Sequence, residues 1–307
     1  SRLLTGNNAL IEAAENQLAK IFNAESSLIF SSGYNANLAV ISSVPKRGDT
    51  ILYDEKSHAS IKDAMRLSLA KHHSFKHNDI QDLERKIQKA EGSTFVVVES
   101  VYSMDGDVCP LEAVSSICQN YNAHLLVDEA HSTGVYGSEG NGLSCQMKLE
   151  AKIPIRIYTF GKGMGVHGAC VAGSKQLRDY LINFARPFIY STAPDAHSVV
   201  SILEGFEFLK NNIHLQAELQ QNVKTFKEAI GSHPALTPGD SAIQSFLVPG
   251  NSAVKNAALI LQKSGFDVRP ILSPTVTAGS ERLRIIIHAY NTKSEILALA
   301  KALLALS

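Results

Sequence analysis

Apolar positions along the chain alternate between short, nearly unbroken runs and longer stretches with helical spacing. The short runs predict strands at SLIFSS (27–32), DTILYD (49–54), KHHSFKH (71–77), TFVVVES (94–100), AHLLVDEA (123–130), RIYTF (156–160) and ACVAG (169–173). TFVVVES is β-branched and uninterrupted, which suits a strand covered on both faces. The helical stretches are the opening segment through Phe22, NANLAVISSV (35–44), SHASIKDAMRLSLA (57–70) with Ser57 as N-cap, NDIQDLERKIQKA (78–90) from an Asn78 cap, and LEAVSSICQNY (111–121). Strands separated by helices predict an α/β fold with a mostly parallel, doubly wound sheet.

From about Ser198 the pattern changes. Two long helices (197–212 and 214–231) precede AIQSFLV, a helix at 254–265, FDVRPIL, RLRIIIHA and a terminal helix. This predicts a large domain over 1–197 and a smaller C-terminal α+β domain over 198–307. The helical pattern starts almost at Ser1, so an N-terminal arm preceding it is expected.

Composition narrows the function classes. The 307 residues carry 29 basic and 29 acidic side chains, with 45% hydrophobic and 19% charged content, as in an ordinary globular protein. A zero net charge gives no footprint for nucleic acid or an anionic membrane. LALAKALLAL near the end is too short to span a bilayer and is broken by Lys301. Cys109, Cys118, Cys145 and Cys170 form no CxxC pair and no zinc spacing, which reads as thiols in a reducing cytoplasm. No metal is expected, since His73 and His77 straddle a strand end.

Open parallel sheets bind ligands at the carboxyl ends of their strands. After SLIFSS comes the turn Gly33-Tyr34-Asn35 leading into a helix, whose free amides suit a phosphate. After TFVVVES comes Ser103; after HLLV come Asp128 and His131; after RIY come Thr159 and Lys162. Each alone has a bland reading: a capping aspartate, a surface histidine, a solvated lysine in a glycine turn. GKGMG matches neither a dinucleotide loop nor a P-loop, because Gly163 stands where Ser or Thr would follow the lysine. Together they match the needs of pyridoxal 5'-phosphate: an amine for covalent attachment, an acid at the pyridine nitrogen and a phosphate cradle. On this reading Lys162 is held away from water with a lowered pKa, so that it can act as a nucleophile.

VDEAHSTGVYGSEGNG followed by TFGKGMGVHGACVAG resembles the α-oxoamine synthases, pyridoxal-phosphate enzymes of fold type I. SRLLTGN, SSGYNAN, DEKSHASI, ESVYSMDGD, FARPFIYSTA and SPTVTAGSERLRI extend the resemblance over almost the whole chain. It implies that an amino acid is joined to an acyl thioester, carried by CoA or a carrier protein, with loss of CO2. It also implies a homodimer with shared active sites. By position, Lys162 matches the cofactor-linked lysine, Asp128 the acid at the ring nitrogen, His131 the partner of the ring oxygen and His58 the histidine on the ring face. Gly33 and Tyr34 match the phosphate turn, Ser103 and Thr159 further cofactor contacts, and Ser191 and Thr192 a pair reaching the neighbouring subunit's phosphate. Arg284 matches the arginine that grips the substrate carboxylate, and Thr275 a substrate-contacting threonine. VRPILSPTVTAGSERLRI and SAIQSFLV look most like the family member of biotin biosynthesis, which uses L-alanine and a pimeloyl thioester. Siblings use glycine or serine. In relatives the arm helps to form the acyl channel, and an alternative reading is a non-catalytic, truncated relative that takes up pyridoxal phosphate without releasing CO2.

Overall fold

A computed structural model describes residues 1–306. In chain order its elements are α1 (Ala9–Ile21), β1 (Ser26–Phe30), α2 (Gly33–Ser43), β2 (Thr50–Asp54), α3 (Ala59–Leu67), β3 (Lys71–Phe75), α4 (Ile80–Ile87), β4 (Thr94–Glu99), α5 (Leu111–Asn120), β5 (His124–Asp128) and α6 (Leu143–Gln146). Then follow β6 (Ile155–Thr159), β7 (Ala169–Gly173), α7 (Lys175–Phe184), α8 (Arg186–Ile189), α9 (Ala196–Asn211), α10 (His214–Ile230), β8 (Ile243–Leu247), α11 (Asn251–Lys263), β9 (Arg269–Ile271), β10 (Arg282–Ile286) and α12 (Lys293–Leu304).

By its contacts the chain divides into two units, one of residues 1–101 and 109–212, the other of residues 102–108 and 213–306. The first holds a seven-stranded sheet in the order β1-β7-β6-β5-β4-β2-β3. Strands β3, β2, β4, β5 and β6 run parallel, whereas β7 is antiparallel to both β6 and β1. Alternate residues of β1 and β7 feed opposite faces. Leu28, Phe30, Ala169 and Val171 join a core with Val40, Ile61 and Leu181. Ile29, Cys170 and Ala172 join another with Ile11, Leu18, Val199 and Phe206. Two covered faces explain why these strands read as apolar runs rather than alternating ones. Full burial of one such side chain, Leu18 for example, is worth about 1.5–3 kcal/mol.

The same packing settles where α9 sits. The residue pattern assigns it to the C-terminal segment, but Val199, Ile202 and Phe206 lie against Ile11, Leu18 and Phe22 of the α1 region, within the first unit. Two caps also differ from the sequence reading. His58, not Ser57, caps α3 through its ring, and Asp79, not Asn78, caps α4 by accepting the Asp82 amide. Asn78 instead takes a left-handed conformation, φ +53°, just before that cap.

The second unit contains a three-stranded antiparallel sheet ordered β8-β10-β9. Its helices bury one stripe each: Leu219, Val223, Phe226 and Ile230 of α10, and Ile296, Leu299, Ala300 and Leu303 of α12. Thr292 and Glu295 close a capping box at the start of α12.

Candidate active site

Parallel β4, β5 and β6 bring their carboxyl ends to one edge, with Glu99 opposite Asp128 and Asp128 opposite Ile157. Asp128 ends β5 and is buried. Its Oδ1 accepts the Ala130 amide at 2.9 Å and its Oδ2 accepts Asn37 Nδ2 at 2.7 Å. Three residues on, His131 Nε2 lies 2.9 Å from Lys162 Nζ. The lysine sits in the turn between β6 and β7, where Gly165 (φ +67°) donates its amide to the Lys162 carbonyl at 3.0 Å. Lys162 is exposed in the single chain, contrary to the expectation of an amine shielded from water. The reason is its place beyond the strand ends, between two glycines, Gly161 and Gly163, that are themselves exposed.

The phosphate-turn residues form a real helix start. Ser32 caps α2 by accepting the Asn35 amide at 3.2 Å, and its carbonyl accepts the Ala36 amide. The amides of Gly33 and Tyr34, first in the helix, have no acceptor among the described residues, as helix geometry dictates. Thr159, at the end of β6, crowds this start. A Cβ on Gly33 would stand 2.2 Å from Thr159 Oγ1, so only glycine admits the approach. The Tyr34 hydroxyl donates to Asp63 Oδ2 at 2.7 Å, and that bond raises the phenol pKa.

His58 stands at the N-cap of α3. Its Nδ1 accepts the Ser60 amide at 3.2 Å and lies 2.8 Å from Ser60 Oγ. Burial lowers its pKa, the Lys162 ammonium lowers it further, and Asp128 opposes both. The His58 amide donates to Glu99 Oε1 at 2.5 Å. Glu99 is almost fully enclosed; burial first, then the Asp128 carboxylate, push its pKa up to about 8. The Asp54 carboxylate adds to the rise, while Lys162 and the His58 amide oppose it.

The raised Glu99 pKa has a testable consequence. The folded chain keeps a proton there that the unfolded chain releases above the ordinary carboxylate range. This contribution is full at low pH and is lost as pH rises through about 8. The slope inside that window reaches about 1.4 kcal/mol per pH unit. Glu99→Gln cannot titrate and still offers an acceptor to the His58 amide. Urea midpoints are therefore expected to fall between about pH 5 and about 8 in the parent chain relative to Glu99→Gln. Parallel pH curves for the two chains would contradict it.

The other expected site residues come from other segments of the chain. Ser191 and Thr192 follow α8 and make no side-chain hydrogen bond among the described residues. Ser103 and Arg284 belong to the second unit, where Arg284 Nε donates to the Ser103 carbonyl at 2.8 Å. Arg284 forms no ion pair among the described residues, which leaves its two terminal nitrogens for an anion, whereas neighbouring Arg282 pairs with Asp105. Thr275 is exposed in a turn of the same unit. Sequence reasoning missed Asn37, Ser60 and Glu99. The available signals were a buried asparagine amid Ala36, Ala39 and Val40 on α2, and a carboxylate closing an otherwise apolar strand.

Comparison with known proteins supports the same reading. Residues 1–303 match the family described as aminotransferase class I and II. An 8-amino-7-oxononanoate synthase of Emericella nidulans is 39% identical over 318 aligned positions, covering 96% of this chain and 77% of that protein. A serine palmitoyltransferase variant from S. paucimobilis, solved with PLP and myriocin bound, superposes with a TM-score of 0.92 at 28% identity, covering 100% of this chain and 78% of the other. The 8-amino-7-oxononanoate synthase of Francisella tularensis gives a TM-score of 0.87 at 29% identity, covering 97% and 87%.

Proposed function

The chain belongs to the aminotransferase class I and II family, and from that premise we propose that it uses pyridoxal 5'-phosphate to condense L-alanine with a pimeloyl thioester. The products are 8-amino-7-oxononanoate, CO2 and the free thiol. The observation that carries the reading is the 2.9 Å approach of Lys162 Nζ to His131 Nε2, three residues beyond buried Asp128. An amine, an imidazole and a carboxylate thus meet at one sheet edge.

The residues fit the cofactor. Gly33 leaves a space beside Thr159 that any side chain would fill, next to two helix amides without acceptors. Asn37 Oδ1, beside Asp128, is buried without a partner and can accept a donor from a bound group. Once bound, pyridoxal phosphate supplies an electron sink for negative charge at the substrate α-carbon. The chain supplies the rest. Lys162 Nζ would be the nucleophile that attaches the group and the base for the substrate α-proton. Asp128 favours a protonated ring nitrogen by its charge, and Asn37 and the Ala130 amide fix the carboxylate's direction. The α2 amides would hold its phosphate, and His131 Nε2 hydrogen-bonds with Lys162. The unpaired fork of Arg284 suits a substrate carboxylate. Ser191 and Thr192 are assigned to a second subunit's phosphate, in a homodimer.

No described helix is long and apolar enough to cross a membrane, and all four cysteines are free and buried. We place the reaction in the cytoplasm. A second reading, condensation of serine or glycine with another acyl-CoA, is favoured by the likeness to serine palmitoyltransferase. CO2 release from alanine, glycine and serine, each with pimeloyl-CoA and palmitoyl-CoA, separates them. Release with alanine and pimeloyl-CoA alone is expected; release only with serine and palmitoyl-CoA would favour the sibling reaction.

A further inference from the structure

Between Asp128 and His58 runs a buried chain of hydrogen bonds whose donor direction can be worked out atom by atom. Asp128 is acceptor-only as a carboxylate, so the Asn37 group 2.7 Å from its Oδ2 is the amide nitrogen. The second hydrogen of that nitrogen points to Ser60 Oγ at 3.1 Å. A hydroxyl that accepts there still has its own hydrogen to donate, and His58 Nδ1 is 2.8 Å away. The Ser60 backbone amide aims at the same nitrogen from 3.2 Å. Two donors converge on Nδ1, so a ring proton has no place there. Asn37 and Ser60 are both almost fully enclosed, away from bulk water. Flipping the Asn37 amide would set its oxygen against the Asp128 carboxylate.

We propose that Asn37 and Ser60 are positioning residues: they relay the orientation of Asp128 to His58 and hold the imidazole neutral, with its proton on Nε2. The relay gives the histidine of the proposed ring-face contact a fixed tautomer and a fixed plane, and it ties that plane to the acid at the ring nitrogen. Asn37 comes from α2, Ser60 and His58 from α3 and Asp128 from β5. Three separately placed elements thus share one polar network, and such a network specifies a single arrangement only when every donor is matched. The charged groups acting on the imidazole are Lys162 and Lys62, which oppose its protonation, and Asp128 and Asp63, which favour it. Glu99 faces it through the backbone amide. The importance of His58 to a cofactor rests on the functional reading above; its tautomer does not.

The test is nitrogen-15 NMR of the His58 ring in the 307-residue chain, without and with pyridoxal phosphate, in the parent and in Ser60→Ala, Ser60→Thr and Asn37→Ala. The parent is expected to show a protonated Nε2 and an unprotonated Nδ1 near neutral pH. Ser60→Ala should raise the His58 titration midpoint by about half to one pH unit, the equivalent of one lost hydrogen bond to the neutral form. Asn37→Ala should move it less, because the Ser60 hydroxyl keeps its proton for Nδ1 but loses its orientation. Ser60→Thr should restore the parent value. Parent chain carrying the proton on Nδ1 would overturn the relay, even if Ser60→Ala failed to fold. So would an unchanged midpoint in a folded Ser60→Ala. An Nε2 proton in a chain that takes up no pyridoxal phosphate would keep the relay and sink the functional reading.

Discussion

Lys162→Ala is expected to abolish CO2 release and to leave a protein that pyridoxal phosphate and borohydride no longer label at this position. Two roles disappear with one amine, covalent attachment and proton removal at the α-carbon. A positioned base alone contributes on the order of 10^2–10^4-fold, so the loss should exceed about 10^3-fold. The fold should survive. Lys162 is exposed, and its side-chain contact with His131 lies at the site rather than in the core. Thermal melts of the unloaded protein should accordingly match the parent. Lys162→Arg is the informative control, since a guanidinium keeps the charge beside His131 but is not a usable nucleophile. Retained turnover with labelling at another lysine would remove Lys162 from its assigned role.

Asp128→Asn should lower turnover by on the order of 10^2–10^3-fold, the usual cost of losing one preorganised charge at a reacting centre. The substitution keeps the side chain's shape and can still accept the Ala130 amide. It cannot counter a protonated ring nitrogen. It also sets a second amide group against Asn37 Nδ2, so one of the two must turn. A second readout is independent of turnover. The Asp128 charge is the second cause, after burial, of the raised Glu99 pKa. Asp128→Asn should therefore shrink the loss of stability between about pH 5 and about 8, which urea midpoints measure directly. Full activity with an unchanged pH profile would show that Asp128 serves neither purpose.

Much of this site could be read from the sequence because strand ends are legible there. A run of apolar residues that stops at Asp128 or Thr159 marks both a strand and the edge where a ligand can sit. What the pattern hid was partnership. Asn37 meets Asp128 across 91 residues, and no periodicity reports a contact at that distance. Ser60 looked like an ordinary residue in the first turn of α3, and the capping role given to Ser57 belonged to the His58 ring. Short helices α6 and α8, four residues each, are too brief for periodicity to show. The direction of β7 was recoverable. Residues 160–168 separate β6 from β7, too few for the crossover that a parallel pair needs. Length of connection, not composition, was the signal.

That short connection affects how the protein is built. Closing the β6–β7 hairpin requires ordering only a small loop, whereas anchoring the acid requires two segments 91 residues apart to find each other. The bend bearing the amine is thus set by neighbours in the chain, whereas the direction of its counter-charge is set by a remote partner.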